Sequence, residues 1–215
     1  MRGNIAPHPG IVNAATDLES VAFFPLPFLY SPTMLTQLVP RQVFFTKGAG
    51  RHRDKLRSFE IALRGAGIEK CNLVSVSSIL PPGCKIISKS EGVKKLKPGQ
   101  ITFCVLSQTA SNEPSRLIAA AIGCAKPQTK DQYGYLSEYH AFGQTAKFVG
   151  DYAEDLAAGM LASTLGLDLD ENKHWDEQKE IFKISGQIFH TTNTTQSAFV
   201  KGGWTTVVAA AVFLF

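Results

Sequence analysis

Cysteine is scarce in this 215-residue chain. The four thiols, Cys71, Cys84, Cys104 and Cys124, stand 13, 20 and 20 residues apart. There is no CxxC pair and no Cys/His cluster at zinc spacing, so a redox motif and a zinc site are not expected. We expect reduced, mostly buried thiols, with Cys104 inside the apolar run Ile101–Leu106. No apolar run reaches the roughly 18 residues of a membrane span. The longest are Val21–Tyr30, broken by Pro25 and Pro27, and the nine residues Val207–Phe215. A signal-peptide layout is also missing, so the expected compartment is the cytoplasm, with no membrane partner. No dense basic stripe is interleaved with aromatics, which argues against nucleic acid as a partner. The full GxxxxGK[ST] pattern is lacking, and Lys47–Arg51 (KGAGR) reads as a turn rather than a phosphate loop. No internal repeat or low-complexity segment is present.

What the chain does have is a globular composition, 44% hydrophobic and 19% charged, which excludes wholesale disorder and coiled coil. At roughly 150 residues per domain, this length makes one large domain or two small ones. The net charge is only +4, but it is unevenly spread. Residues 41–70 carry eight basic and three acidic groups, whereas 151–180 carry nine acidic and two basic. That separation suits subunits meeting basic face to acidic face, and equally suits two solvated helix faces.

Residues 1–39 hold five of the eleven prolines and no clean period. We read them as a poorly ordered N-terminal extension partly laid against the body, or as the product of a start site set too early. From residue 40 a regular pattern begins and runs to 215. Gln42–Thr46 predicts a short strand. Asp54–Ala66 predicts a helix, with Leu56, Phe59, Leu63 and Ala66 at 3, 4 and 3 spacing and glycines to stop it. Asn72–Ser77 alternates like a strand and meets a sharp Pro81-Pro82-Gly83 turn. Ile101–Leu106, Leu117–Ala125, Tyr133–Phe142, Ile181–His190 and Thr205–Phe215 are further strand candidates, and Leu117–Ala125 could also be a buried helix. Thr145–Leu165 is the clearest helix, with Phe148, Tyr152, Leu156, Met160 and Leu161 on one face and Lys147, Asp151, Glu154 and Asp155 facing out. Thr191–Thr195 reads as a loop, and His174-Trp175 as surface in an acidic linker, 168–180. About seven strands and two substantial helices make an α+β domain with a sheet-rich core.

The stretch Asn72-Leu73-Val74-Ser75-Val76-Ser77-Ser78-Ile79-Leu80-Pro81-Pro82-Gly83 holds the one arrangement that suggests chemistry. Serines at a strand end ordinarily cap or bond locally. The reaction that would use the pair is self-cleavage. The hydroxyl of the second serine attacks the carbonyl before it, and an N-to-O acyl shift makes an ester. β-Elimination leaves dehydroalanine, which hydrolyses to a pyruvoyl group. Such a site needs a strained backbone and a polar group on the oxyanion.

This segment resembles the processing site of the pyruvoyl-dependent arginine decarboxylases. Phe59-Glu60-Ile61-Ala62-Leu63 with Ala66-Gly67-Ile68 is similar to the family helix before the cleavage strand. Tyr135-Leu136-Ser137-Glu138-Tyr139 resembles the family strand that carries an acidic catalytic residue, and the Ala-rich C-terminal strand also fits. The resemblance covers roughly Val43 to Phe215. It implies an αββα sandwich, self-cleaved between Ser77 and Ser78 into 1–77 and 78–215, with Ser78 becoming a covalent pyruvoyl cofactor. No metal and no pyridoxal phosphate are implied. L-Arginine would form a Schiff base with the ketone, lose CO2 and leave as agmatine. Glu138 is the implied acid that reprotonates Cα, its pKa raised by burial among Tyr135, Leu136 and Tyr139. Without the resemblance, it reads as a surface glutamate. Asn72 would fix the processing backbone, or else merely punctuate the strand start. Ser77 would become a new carboxylate beside the substrate. Glu60 stands where the family has an aspartate, so its charge sits about one carbon further out, which bears on arginine selectivity. Leu63 would line the same pocket, or serve as a core leucine. His140 reads as a satisfied polar residue. Family members form trimers or dimers of trimers with active sites between subunits, so a homo-oligomer is implied. The implied role is polyamine synthesis or acid resistance. Two other readings remain: a decarboxylase of another amino acid, and an uncleaved, non-catalytic oligomeric homologue.

Overall fold

The structure, a computed structural model, describes residues 38–166, 175–176, 181–184 and 187–215. Residues 1–37 and most of the acidic stretch 168–180, including His174, lie outside the described residues.

Among the described residues, eleven strands and three helices follow one another. They are β1 (Gln42–His52), α1 (Lys55–Ala66), β2 (Asn72–Ser75), β3 (Ile79–Leu80), β4 (Lys85–Ile87), α2 (Lys89–Lys95), β5 (Ile101–Ser111), β6 (Leu117–Pro127), β7 (Gly134–Phe142), α3 (Ala146–Thr164), β8 (Trp175–Asp176), β9 (Ile181–Ile184), β10 (Gln187–Phe199) and β11 (Trp204–Leu214). They form two sheets, ordered β2-β5-β11-β1-β4 and β3-β7-β6-β10-β9-β8. Alternation along each strand sends one set of side chains between the sheets and the other outward. Val43, Val105, Ala209, Ala211 and Phe213 of the first sheet meet Leu80, Ile122, Cys124 and Leu136 of the second. The outer face of the first sheet, with Phe44, Val208, Ala210 and Val212, packs against Ala62 and Ala66 of α1. The outer face of the second packs against Val149, Ala153, Ala157 and Leu161 of α3. The result is the expected αββα sandwich. β11 lies mid-sheet and is buried from Thr205 to Leu214, as a strand apolar on both faces must be.

Several local readings change. KGAGR is not a turn: β1 runs straight through it. Gly48 and Gly50 face α1 so closely that a Cβ would stand 2.1 Å from the carbonyl oxygens of Ala62 and Ser58. Thr191–Thr195 is not a loop but part of β10, paired residue by residue with β6. β-Branched threonines suit a pleated, half-buried strand. Leu117–Ala125 is strand. On α3, the packed face is the small-residue stripe Val149, Gly150, Ala153, Ala157, Ala158 and Leu161. Phe148 and Tyr152 instead stack at the surface, 48% and 41% exposed. Glu154, expected to face out, is buried and accepts a hydrogen bond from Asn193 Nδ2 at 2.5 Å. Small side chains let the helix axis approach the sheet more closely than aromatic ones could.

Candidate active site

The chain changes sheets at the two serines. β2 is the edge strand of one sheet and β3 the edge strand of the other. The Val76 N–H still bonds the Cys104 carbonyl of β5 at 3.0 Å, whereas Ile79 already pairs with Tyr135 of β7. Ser77 and Ser78 therefore bridge the open edge of the sandwich. Ser77 is exposed and Ser78 half-buried.

Two backbone donors hold this bridge. The Ile79 N–H donates to the Ser77 carbonyl at 3.1 Å, closing a γ-turn about Ser78. Ser115 is the one non-glycine residue with positive φ among the described residues, so Ser78 adopts the common inverse form of that turn. The expected backbone strain is thus not visible in φ. The Leu136 N–H donates to the Ser78 carbonyl at 2.7 Å. Downstream, the Cys84 N–H closes a turn onto the Pro81 carbonyl, with Gly83 at φ +67°. Proline second and a positive-φ glycine third make a type II turn, which stops β3 after two residues.

Glu138 lies on β7 two residues beyond Leu136, roughly 7 Å along a strand at about 3.4 Å per residue. Extending the β3–β7 register sets it level with Val76, where the chain leaves the first sheet. Its side chain shares the inward face with Leu136, whereas Tyr135 and Tyr139 point the other way, toward α3. The tyrosines are therefore not its apolar neighbours; period-two alternation separates them from it. Glu138 is exposed rather than buried, yet the partial desolvation it does meet still raises its carboxyl above the usual carboxylate range. Its charge is felt by Cys104, whose thiol is pushed up to about 11, chiefly by burial. Cys104 pairs with Ser75 at the end of β2, which independently places Glu138 near the crossover.

Beside the serines lies an open cleft of about 470 Å3 lined by Ser77, Val76, Ile79, Pro82, Phe103 and Tyr133, among others. It is largely apolar, with Ser77 as its polar edge.

Other candidates lie elsewhere in the chain. Asn72 is at the opposite end of β2, roughly 13 Å from Val76 at about 3.3 Å per residue. Its Nδ2 donates to the Gly99 carbonyl at 3.0 Å, pinning the strand start. Glu60 and Leu63 are on α1, which covers β1 and β11. Three strand spacings separate β1 from β2, roughly 14 Å at about 4.8 Å each. Glu60 Oε1 accepts from Arg64 Nε at 3.2 Å and Nη2 at 2.6 Å. Leu63 packs, half-buried, into the helix–sheet core. One chain thus brings Ser77, Ser78 and Glu138 together and leaves Asn72, Glu60 and Leu63 apart from them. Sequence reasoning missed the donors Ile79 N–H and Leu136 N–H, because a backbone amide has no residue signature. Among the described residues, no group of three or more His, Cys, Asp or Glu could hold a metal ion.

The chain is thus an αββα sandwich that passes from one sheet to the other through a Ser-Ser bridge, with the exposed Glu138 on the neighbouring strand β7. The sequence model of the family described as pyruvoyl-dependent arginine decarboxylase matches residues 42–215. The chain is 60% identical over 178 residues to a probable pyruvoyl-dependent arginine decarboxylase of Chloroherpeton thalassium, spanning 82% of this chain and 98% of that one. It is 54% identical over 182 residues to the pyruvoyl-dependent arginine decarboxylase of Nitrosopumilus maritimus, 84% of this chain and all of that one. Against pyruvoyl-dependent arginine decarboxylase 2 of Methanosarcina acetivorans it is 54% identical over 179 residues, 82% and 98% of the two chains. The chain belongs to the pyruvoyl-dependent arginine decarboxylase family and is an enzyme.

Proposed function

We propose that the chain cuts itself between Ser77 and Ser78 and then decarboxylates L-arginine to agmatine and CO2. The observation that supports this best is the hydrogen bond from the Ile79 N–H to the Ser77 carbonyl. Attack by Ser78 Oγ on the Ser77 carbonyl carbon moves charge onto that oxygen, where the donor already points. The ring opens as the Ser78 nitrogen takes a proton, giving an ester. Loss of the Ser77 carboxylate with a proton from Ser78 Cα leaves dehydroalanine, and water then replaces its nitrogen, releasing ammonia and leaving a ketone at residue 78.

The surroundings of residue 78 fit a pyruvoyl group. After the cut, residue 78 stays attached to β3, and the Leu136 N–H would hold the amide carbonyl next to the ketone. When formed, the group supplies a ketone for Schiff-base chemistry with the substrate amine and an electron sink for the carbanion left by CO2. Glu138 delivers the proton to Cα. Its raised pKa keeps a larger share of the carboxyl protonated near neutrality than an exposed glutamate would have.

Asn72, Glu60 and Leu63 act, in this reading, from a neighbouring copy in a trimer or hexamer. The supporting observation is that α1 and the start of β2 lie away from the bridge within one chain. Glu60 would then take the substrate guanidinium. Cytoplasmic polyamine synthesis or acid resistance is the proposed setting. One observation favours a second reading, decarboxylation of a different amino acid: Glu60 is already engaged by Arg64.

The deciding experiment is intact mass under denaturing conditions, with Ser78→Ala as control. Two fragments meeting at Ser77–Ser78, the larger with a pyruvoyl mass at its blocked N-terminus, are expected. A single stable chain of 23.3 kDa would remove the cofactor and the activity. Screening amino acids, arginine first, then separates the two readings.

A further inference from the structure

The Pro81–Gly83 turn also borders a second cavity, of about 550 Å3. Lys85 of β4, Lys126 at the end of β6, Lys130 of the following loop and His190 of β10 line it. His190 stands directly opposite Lys126 in the β10–β6 register. Gln128, Thr129 and Gln132 add neutral polar groups, and among the described residues no Asp or Glu lines the cavity. Among the described residues, the ion pairs use other cations, and no carboxylate there pairs with these three lysines. Lys126 acts inward as well: its charge lowers the otherwise raised pKa of the buried Cys84 and Cys124 thiols.

Gathering three ammonium groups from separate elements around one concavity is unfavourable unless a counter-charge enters. We propose that this cavity binds a small phosphate ester. The chemistry selects phosphate over carboxylate. A phosphate carries about two negative charges at neutral pH, and lysines bind it as point charges. A lone carboxylate is best met by a planar arginine fork, and among the described residues no arginine lines the cavity. The Thr129 hydroxyl already donates to Gln132 Oε1 at 3.0 Å, which leaves the side-chain amides of Gln128 and Gln132 as donors for the remaining oxygens. The volume falls in the roughly 300–1,000 Å3 range of small-molecule sites and leaves room for an organic body on the phosphate. The cavity wall begins at Leu80, two residues after Ser78, so a bound ligand would brace the anchor of the reactive residue.

Titration calorimetry on the purified protein at low salt, with AMP, pyrophosphate, inorganic phosphate and citrate as probes, tests this. AMP and pyrophosphate should saturate at one per chain and bind more tightly than inorganic phosphate and citrate. Lys126→Gln/Lys130→Gln should weaken AMP at least tenfold, and Lys147→Gln should leave it unchanged. If the double variant melts early, His190→Gln serves in its place, with a smaller loss of the same kind expected. The inference is overturned by no saturable phosphate binding, by citrate binding more tightly than AMP, or by equal losses in the Lys147 control. A fall in oligomer mass in the double variant without any ligand binding would assign the cavity to a second copy of the chain and overturn it too.

Discussion

Replacing the Ile79 amide by an ester, through incorporation of the α-hydroxy analogue of isoleucine, removes one hydrogen and keeps the side chain. In the structure that hydrogen serves the Ser77 carbonyl at 3.1 Å and no ladder bond to β7. Removing one oxyanion donor ordinarily costs about 10² to 10³ in rate, or about 2.7–4 kcal/mol. The bridge is partly open to water, which can replace part of the lost interaction, so we expect the lower end, a roughly 100-fold slower cut. The ester also weakens the Ser78 carbonyl as an acceptor for the Leu136 N–H. Ile79→Pro removes the same hydrogen but keeps the amide carbonyl, and so controls for that. The assay is the half-life of uncut chain followed by intact mass after synthesis, with thermal melting to confirm that both variants fold. Both should persist as precursor long after the parent chain has processed. Cutting within threefold of the parent rate in both would refute the oxyanion role of this donor. Failure of the parent chain itself to cut would instead refute self-processing.

Glu138→Gln should leave the chain able to fold and should lower kcat by about 10² or more, as loss of a general acid does. The same substitution carries a stability signature. Burial raises the folded-state pKa of Glu138, so the native state binds its proton more tightly and stability falls as pH rises from the ordinary glutamate range through the raised value. Glu138→Gln should therefore raise Tm at pH 7 relative to the parent and change it little at pH 4; a uniform shift at both would contradict the burial argument. Gly50→Ala would set a Cβ 2.1 Å from the Ser58 carbonyl oxygen and 2.5 Å from the Ala62 nitrogen. Since backbone must move, we expect a loss of about 3 kcal/mol by denaturant unfolding, at the top of the overpacking range, and a loss under 0.5 kcal/mol would show that α1 can lift away freely. Arg64→Ala frees Glu60 from a pair whose side chains are 66% and 46% exposed. Such pairs are worth about 0.2–1 kcal/mol, so KM for arginine should fall by up to about fivefold with kcat unchanged, and an unchanged KM would argue against Glu60 as the guanidinium partner.

The sheet-rich α+β core was legible because its strands carry strong patterns, β11 apolar on both faces and β6 apolar from Leu117 to Ala125, whereas the αββα arrangement was implied by the family resemblance. The errors share a physical cause. KGAGR holds two glycines at a spacing of two, which places both on one strand face; read as flexible residues they suggest a turn, but here they make room for a helix backbone. On α3 the large side chains suggested the packed face, yet tight packing against β6 requires the alanines and Gly150. The Thr191–Thr195 strand and α2 lack a strong apolar signal, and tertiary pairing decides them. At the site, the family resemblance rather than local sequence pointed to Ser77, Ser78 and Glu138, which the fold brings together. Asn72 lies five residues upstream of Ser77 in sequence, and only the straightness of β2 reveals how far that is in space. The donors Ile79 N–H and Leu136 N–H depend on the switch from one sheet to the other, which no local pattern encodes.

That switch would also let the chain be cut, as proposed, without coming apart. Cleavage at Ser77–Ser78 breaks no ladder bond: Val76 stays bonded to β5, and Ser78 stays bonded to β7. The segment before the cut contributes β1 and β2 to the first sheet, and neither is paired with the other. β1 lies between β11 and β4, matched to β11 from Gln42 to His52, and β2 lies against β5. All three neighbours come from the segment after the cut. The two pieces are therefore interleaved within one sheet, with Val43 in the inter-sheet core and Phe44 in the helix–sheet core. Separating them would expose both cores at once, at about 25 cal/mol per Å2 of apolar surface. The processed fragments should co-purify through high salt and gel filtration, and part only in denaturant, in one transition that coincides with loss of tertiary structure. Release of the smaller fragment by salt alone would mean that β1 is not held as the middle strand that the register describes.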